Sequence, residues 1–262
     1  MKKITTLSLL TLLAFSCSRV PLTGRKSLSL VPETTMQSMA LGQYKTFLGS
    51  NPPVKTGADA QMLTKVGARL SKAVNDYMKS KNLLSQLNGY QWEFNLVNNK
   101  EANAWCMPGG KVVVYSGLLP LTANEAGLAA VIGHEVSHAL ARHGSERMTQ
   151  QLIAQGVGVG ANVFTQNNPQ VNKTFNQVYG IGSNLTLLAY SRKHENEADK
   201  MGMIFMAMAG YNPKEAIEVW KRMATLGGTK PPQILSTHPS DATRIANLTA
   251  ALKEAMIFYR PQ

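Results

Sequence analysis

An α+β fold, mostly helical, is predicted by three features of the sequence. Apolar residues recur at helical spacing through most of the chain, as at Met62, Val66, Leu70 and Val74. Three short runs with strand character lie close together between residues 92 and 115, separated by turn signals. No run of eighteen or more apolar residues is present, so no membrane-spanning helix is expected. With 262 residues, 44% hydrophobic and 16% charged, the chain can bury a core without disulfide staples, and wholesale disorder is excluded.

The elements follow in order. A first helix is predicted over 33–48, ended by Asn51-Pro52-Pro53, and an amphipathic helix over 59–79. Residues 92–97 alternate and read as a strand; Asn98-Asn99 is a turn. A second strand, 104–107, stops at Pro108-Gly109-Gly110, and a valine-rich third covers 111–115. Thr122 and Glu125 have capping-box spacing before an apolar run, which predicts a helix from Thr122 to about Arg142. Another helix is expected over 145–155. Residues 156–183, rich in Gly, Asn and Gln, read as a surface loop or a flap beside a cleft. Helices over 184–209, 213–226 and 240–256 complete the reading, with a loop at 227–232.

The first sixteen residues have the pattern of an export signal: Lys2 and Lys3, an apolar stretch from Ile4 to Phe15, and a small residue before Cys17. The Ala14-Phe15-Ser16-Cys17 stretch resembles a bacterial lipobox, which implies cleavage before Cys17 and a lipid on its sulfur. The alternative is ordinary signal cleavage with Cys17 a bystander. Three segments are therefore expected: signal peptide 1–16, polar tether 17–32, catalytic domain 33–262. Cys106 then has no disulfide partner and reads as a buried strand residue, a nucleophilic role being the alternative. The net charge of +12 favours anionic surfaces such as lipid head groups; no nucleic-acid motif accompanies it, and no nucleic-acid partner is expected.

The strongest chemical signal is His134-Glu135-Val136-Ser137-His138 within a predicted helix. Residues four apart share a helical face, so both imidazoles can reach one metal ion. Glu135, rotated about 100° from His134, can reach a water there as general base and then acid. The apolar residues 129–133 predict burial, where two histidines and a glutamate need compensation. A third ligand must come from elsewhere, and 191–199 is the candidate segment. There Glu195 and Asp199 share a face, and Glu197 points elsewhere and reads as solvated.

His-Glu-x-x-His, followed about sixty residues later by Arg-x-x-Glu-x-Glu-Ala-Asp-x-x-Gly, resembles metallopeptidase family 48. That family includes the CAAX prenyl proteases, HtpX-like and Oma-type zinc peptidases and soluble periplasmic lipoprotein members; the last group is the branch this chain resembles. The resemblance implies a zincin-like metallopeptidase fold with a small sheet beside the active-site helix. It implies one Zn²⁺ per chain, held by His134, His138 and Glu195, with Asp199 behind a ligand histidine. The stretch Asn103-Ala104-Trp105-Cys106-Met-Pro-Gly-Gly is similar to the family's strand beside the cleft, where an extended substrate could pair.

Three histidines remain. His143 reads as a helix C-terminal cap and His194 as a surface residue. For His238, which precedes Pro239, the resemblance implies either a fourth, inhibitory ligand or a catalytic donor to the tetrahedral intermediate, with Arg244 nearby. The expected function is a zinc endopeptidase acting on unfolded or misassembled cell-envelope proteins, lipid-anchored on the periplasmic face of a bacterial membrane, with the outer membrane favoured. The alternative is an envelope assembly factor or chaperone whose metal site His238 keeps latent.

Overall fold

A computed structural model describes residues 17–156, 165, 167–180, 190–225, 233–238 and 242–261. The signal-peptide reading, the 227–232 loop and residues 184–189 of an expected helix lie outside the described residues. Along the chain run β1 (Cys17–Arg19), β2 (Lys26–Leu28), α1 (Glu33–Ser50), β3 (Pro53–Val54), α2 (Ala58–Ser80), β4 (Glu93–Val97), β5 (Ala104–Met107) and β6 (Lys111–Tyr115). There follow α3 (Leu119–Thr122), α4 (Glu125–Leu140), α5 (His143–Ala154), α6 (Pro169–Tyr179), α7 (Arg192–Met208), α8 (Lys214–Thr225), α9 (Gln233–Thr237) and α10 (Ala242–Phe258). The fold is α+β and mostly helical. Among the described residues no helix is long and apolar enough to cross a membrane.

Four strands form one sheet in the order β3-β4-β6-β5, with β4 and β6 parallel and the other pairs antiparallel. Helices cover both faces, which is why all of Lys111–Tyr115 is buried. Val112 and Val114 face a core shared with Val66 and Leu70 of α2, Val136 of α4 and Phe205 of α7. Val113 and Tyr115 face a second core with Tyr44 and Phe47 of α1, Met148 of α5 and Phe175 of α6. β5 pairs only with β6, so its other edge meets no strand among the described residues.

Several expectations are corrected. The long helix begins at Glu125, not Thr122: Asn124 is its N-cap, its side chain accepting from the Gly127 N–H, and Thr122 ends the short α3. Residues 17–32 do more than tether: β1 and β2 form a hairpin, Val20 and Val31 are buried, and the Leu30 N–H donates to Thr149 Oγ1. The region expected as a loop over 156–183 contains α6. Asn168 caps it, accepting from two backbone N–H groups, and Pro169 opens it. Val171, Phe175 and Val178 bury its inner face.

One close approach sets the frame for the site. At the crossing of α4 and α7, a Cβ on Gly202 would lie 2.8 Å from the His134 backbone N, and one on Gly133 2.9 Å from the Gly202 carbonyl O. The obstacles are backbone atoms, so no rotamer change relieves them. Gly202→Ala is expected to destabilise by about 1–3 kcal/mol. Gly42→Ala, where a Cβ meets nothing within 4 Å, is the control and should stabilise slightly. Thermal midpoints of the two variants check the contrast; equal shifts would show that the helices do not touch there.

Candidate metal centre

The α4–α7 crossing brings His134 and His138 of α4 against Glu195 of α7, and His238, just past α9, closes over them. Four donor atoms, one each from His134, His138, Glu195 and His238, lie within 4.8 Å of one another, all on buried residues. His134 Nε2 is 3.0 Å from His138 Nε2 and 3.2 Å from His238 Nδ1. Glu195 Oε1 is 3.0 Å from His238 Nδ1 and 3.4 Å from His138 Nε2, and Glu195 Oε2 is 3.6 Å from His134 Nε2. Zinc at about 2.0–2.1 Å from each of four tetrahedral ligands would hold them about 3.3 Å apart, so the cluster has the right size. Buried Glu195 Oε2 makes no aligned hydrogen bond, although the Arg244 guanidinium lies 2.9 Å away, and so keeps lone-pair capacity that a metal would use. The residues present fit the ion.

Asp199 stands behind His134, its Oδ1 accepting from Nδ1–H at 2.8 Å. That bond leaves the lone pair of His134 on Nε2, facing the cluster. Burial alone would raise the Asp199 pKa, but Arg244 and then His134 hold it below the usual range. Arg244 donates to both Asp199 oxygens, at 2.7 and 2.9 Å, and lies 2.9 Å from Glu195 Oε2. Its guanidinium stacks 3.3 Å from the Trp220 ring centroid.

Glu135 is buried beside the cluster but is not in it. Its Oε1 has no aligned hydrogen-bond partner and lies 3.4 Å from His238 Nε2. Burial pushes its pKa up, opposed by the neighbouring histidines His238 and His134. Tyr190 packs on the centre, its ring centroid 3.9 Å from that of His138 and 5.1 Å from that of His238.

Of the strand residues, Ala104 and Cys106 face the α4 side. The Cys106 thiol is pushed well up by burial, with the Glu135 charge adding, which makes it a poor nucleophile. Trp105 turns the other way, its ring edge-on to Tyr44 and Phe47. It therefore brings core packing, not a cleft wall, to the strand. Asn103 Oδ1 accepts from the Ala104 N–H at the start of β5. The side chain of Cys17 is not among the described atoms.

Three polar residues occupy places other than those expected. His143 caps nothing: Arg142 takes the left-handed conformation, φ 57°, and this kink between α4 and α5 swings His143 under His138, fully buried. The His143 and His138 Nδ1 atoms are 2.9 Å apart, and His143 Nε2 is 2.9 Å from Glu197 Oε2. Burial depresses the His143 pKa to about 4. His194 is buried, not at the surface, and bonds Glu146 Oε2 at 2.8 Å. Glu197, expected in solvent, is 8% exposed and accepts from Thr23 and Arg25 of the N-terminal hairpin. Tyr190 also went unread in the sequence, where an isolated tyrosine gives no signal.

The model of peptidase family M48 matches residues 65–252, most of the chain, and the chain belongs to that family. It is similar to the mitochondrial metalloendopeptidase OMA1 of Arabidopsis thaliana, 39% identical over 178 residues, covering 67% of this chain and 35% of that protein. The protein of the same description from Saccharomyces cerevisiae is 36% identical over 183 residues, covering 67% and 51%. The beta-barrel assembly-enhancing protease of Escherichia coli K12 is 26% identical over 219 residues, covering 80% and 43%. The chain thus spans about a third to a half of these relatives' length.

Proposed function

We propose that the protein is a zinc-dependent endopeptidase held latent by His238. The observation that carries this reading is the buried cluster of four donors at a spacing that suits a tetrahedral ion. His134, His138 and Glu195 would hold the ion. When bound, zinc supplies Lewis acidity toward water and toward a peptide carbonyl. Glu135 takes a proton from the attacking water at its carboxylate and returns it to the departing amine nitrogen. The outer edge of β5, which meets no strand among the described residues, offers backbone groups to an extended peptide.

Latency is favoured by where His238 sits. Its Nδ1 completes the donor set and its Nε2 points at Glu135, so it occupies the corner that substrate and water need. The segment leading to it is pinned on one side by the Ile234 N–H to the Ala102 carbonyl, at 3.3 Å, and on the other by the Tyr190 N–H to the Thr237 carbonyl, at 3.0 Å. His238→Ala should therefore raise cleavage of a casein-type substrate by about tenfold, the effect of removing a preference of about 1.4 kcal/mol for the closed state. Zinc content should stay at one per chain. Lower cleavage would instead make His238 a catalytic donor, and the latent reading would be abandoned.

For substrates we favour unfolded or misassembled cell-envelope proteins. The support is the likeness to a protein described as assembly-enhancing for β-barrels and the export-signal pattern of the sequence before Cys17. A lipid on Cys17 would place the chain on the periplasmic face of the membrane, and loss of membrane retention in Cys17→Ala would test that anchor.

A further inference from the structure

Several polar residues outside the donor set form a chain of contacts reaching from the N-terminal hairpin to a metal ligand. We propose that Thr23, Arg25, Glu197 and His143 are positioning residues that fix the tautomer and orientation of His138, making the hairpin part of the metal centre. This inference rests on the metal reading above.

The proton placement follows link by link. Glu197 as a carboxylate only accepts, and it receives Thr23 Oγ1–H at 2.5 Å and Arg25 Nε–H at 2.7 Å. The third contact, from His143 Nε2 at 2.9 Å, must then also be a donated N–H. A neutral imidazole has one N–H and one lone pair, so His143 Nδ1 carries the lone pair. His138 Nδ1, 2.9 Å away, must supply the hydrogen for that contact. The remaining nitrogen of His138, Nε2, is therefore left with its lone pair, and this is the atom that faces His134, Glu195 and the metal position. With any link reversed, two N–H groups or two lone pairs would face each other.

On the other ligand histidine a carboxylate, Asp199, does this directly. On His138 the carboxylate acts at one remove, through a second imidazole. The same guanidinium fastens the hairpin a second time: Arg25 Nη1 donates to Glu146 Oε1 at 2.7 Å, and Glu146 Oε2 in turn bonds His194. Undocking the hairpin would strip Glu197 of two donors and free it to move from His143. Docking of residues 17–28 and retention of zinc are then coupled.

The test measures zinc affinity of the full chain by competition with a chromophoric chelator, together with the thermal midpoint of each metal-free variant. His143→Leu, which removes both ring nitrogens, should weaken zinc binding roughly tenfold or more. Arg25→Ala, at a partly exposed hairpin residue, should weaken it about threefold, with only partial recovery in Arg25→Lys, whose ammonium cannot reach Glu197 and Glu146 as the two guanidinium nitrogens do. Glu197→Gln, whose amide can donate and so permits the reversed tautomers, should also weaken it. Arg25→Ala should also lower the metal-free midpoint, because Glu146 and Glu197 lose their cation, so zinc affinity is measured at a temperature where each metal-free variant is fully folded, a readout that a merely structural role would leave unmoved. If His143→Leu does not fold, Arg25→Ala and Glu197→Gln decide. Variants that hold zinc within about twofold of wild type would overturn the proposal. A wild type that binds no zinc would overturn the metal reading instead.

Discussion

Glu135→Gln is expected to lower peptide hydrolysis by roughly a hundred- to ten-thousand-fold while leaving zinc content unchanged. The two side chains are nearly the same size, and Glu135 is outside the donor cluster, so neither packing nor metal binding should suffer. What disappears is the ability to take and release a proton. The side chain is 3% exposed, and its Oε1 has no aligned partner to satisfy it in the resting protein. Burial shifts its pKa upward, toward the pH at which it must accept and then give back a proton, which is where general acid–base catalysis is most efficient. The comparison is best made in the His238→Ala background, where the starting rate is higher. Unchanged cleavage would remove Glu135 from the chemistry, and lost zinc would make it a ligand.

Arg244→Ala should have the largest effect on stability, about 3–5 kcal/mol. Arg244 is 2% exposed and donates to both oxygens of Asp199, itself 5% exposed. Removing it leaves a carboxylate buried without its cation, and the stack on Trp220 is lost as well. A change of that size lowers the thermal midpoint by about 10 °C in a chain of this length. Arg244→Lys should recover only part, because an ammonium cannot make the two-pronged contact. Zinc binding should weaken too, since Asp199 would no longer be held in place behind His134. Equal midpoints for wild type and Arg244→Ala would show that the ion pair contributes nothing net.

Much of the centre was legible because it obeys helical spacing. His134 with His138, and Glu195 with Asp199, are pairs four residues apart, and such pairs announce a shared face before any tertiary structure is known. The fold class, the three strands between 92 and 115 and most helices were legible for a similar reason: period and turn chemistry are local. His143 was not, because the local pattern shows an unbroken helix to Arg142, and the left-handed residue there redirects everything after it. Spacing along α7 alone turns His194 and Glu197 away from Glu195 and toward solvent. Their partners, Glu146 and the hairpin residues Thr23 and Arg25, lie 48 or more positions away. α6 did leave a signal, Asn168-Pro169 followed by Val171, Phe175 and Val178, which the polar composition around it obscured. Gly133 and Gly202 are visible as small residues, but no local pattern shows that they meet.

That meeting of α4 and α7 bears on how the ion is acquired. The donors it joins come from segments about sixty positions apart, so a nascent or denatured chain presents only the His134–His138 pair. Firm capture of zinc must await the tertiary contact, and the binding free energy then accrues to the native state alone. A strong chelator should accordingly speed loss of structure on heating, and refolding without metal should stall short of full resistance to proteolysis.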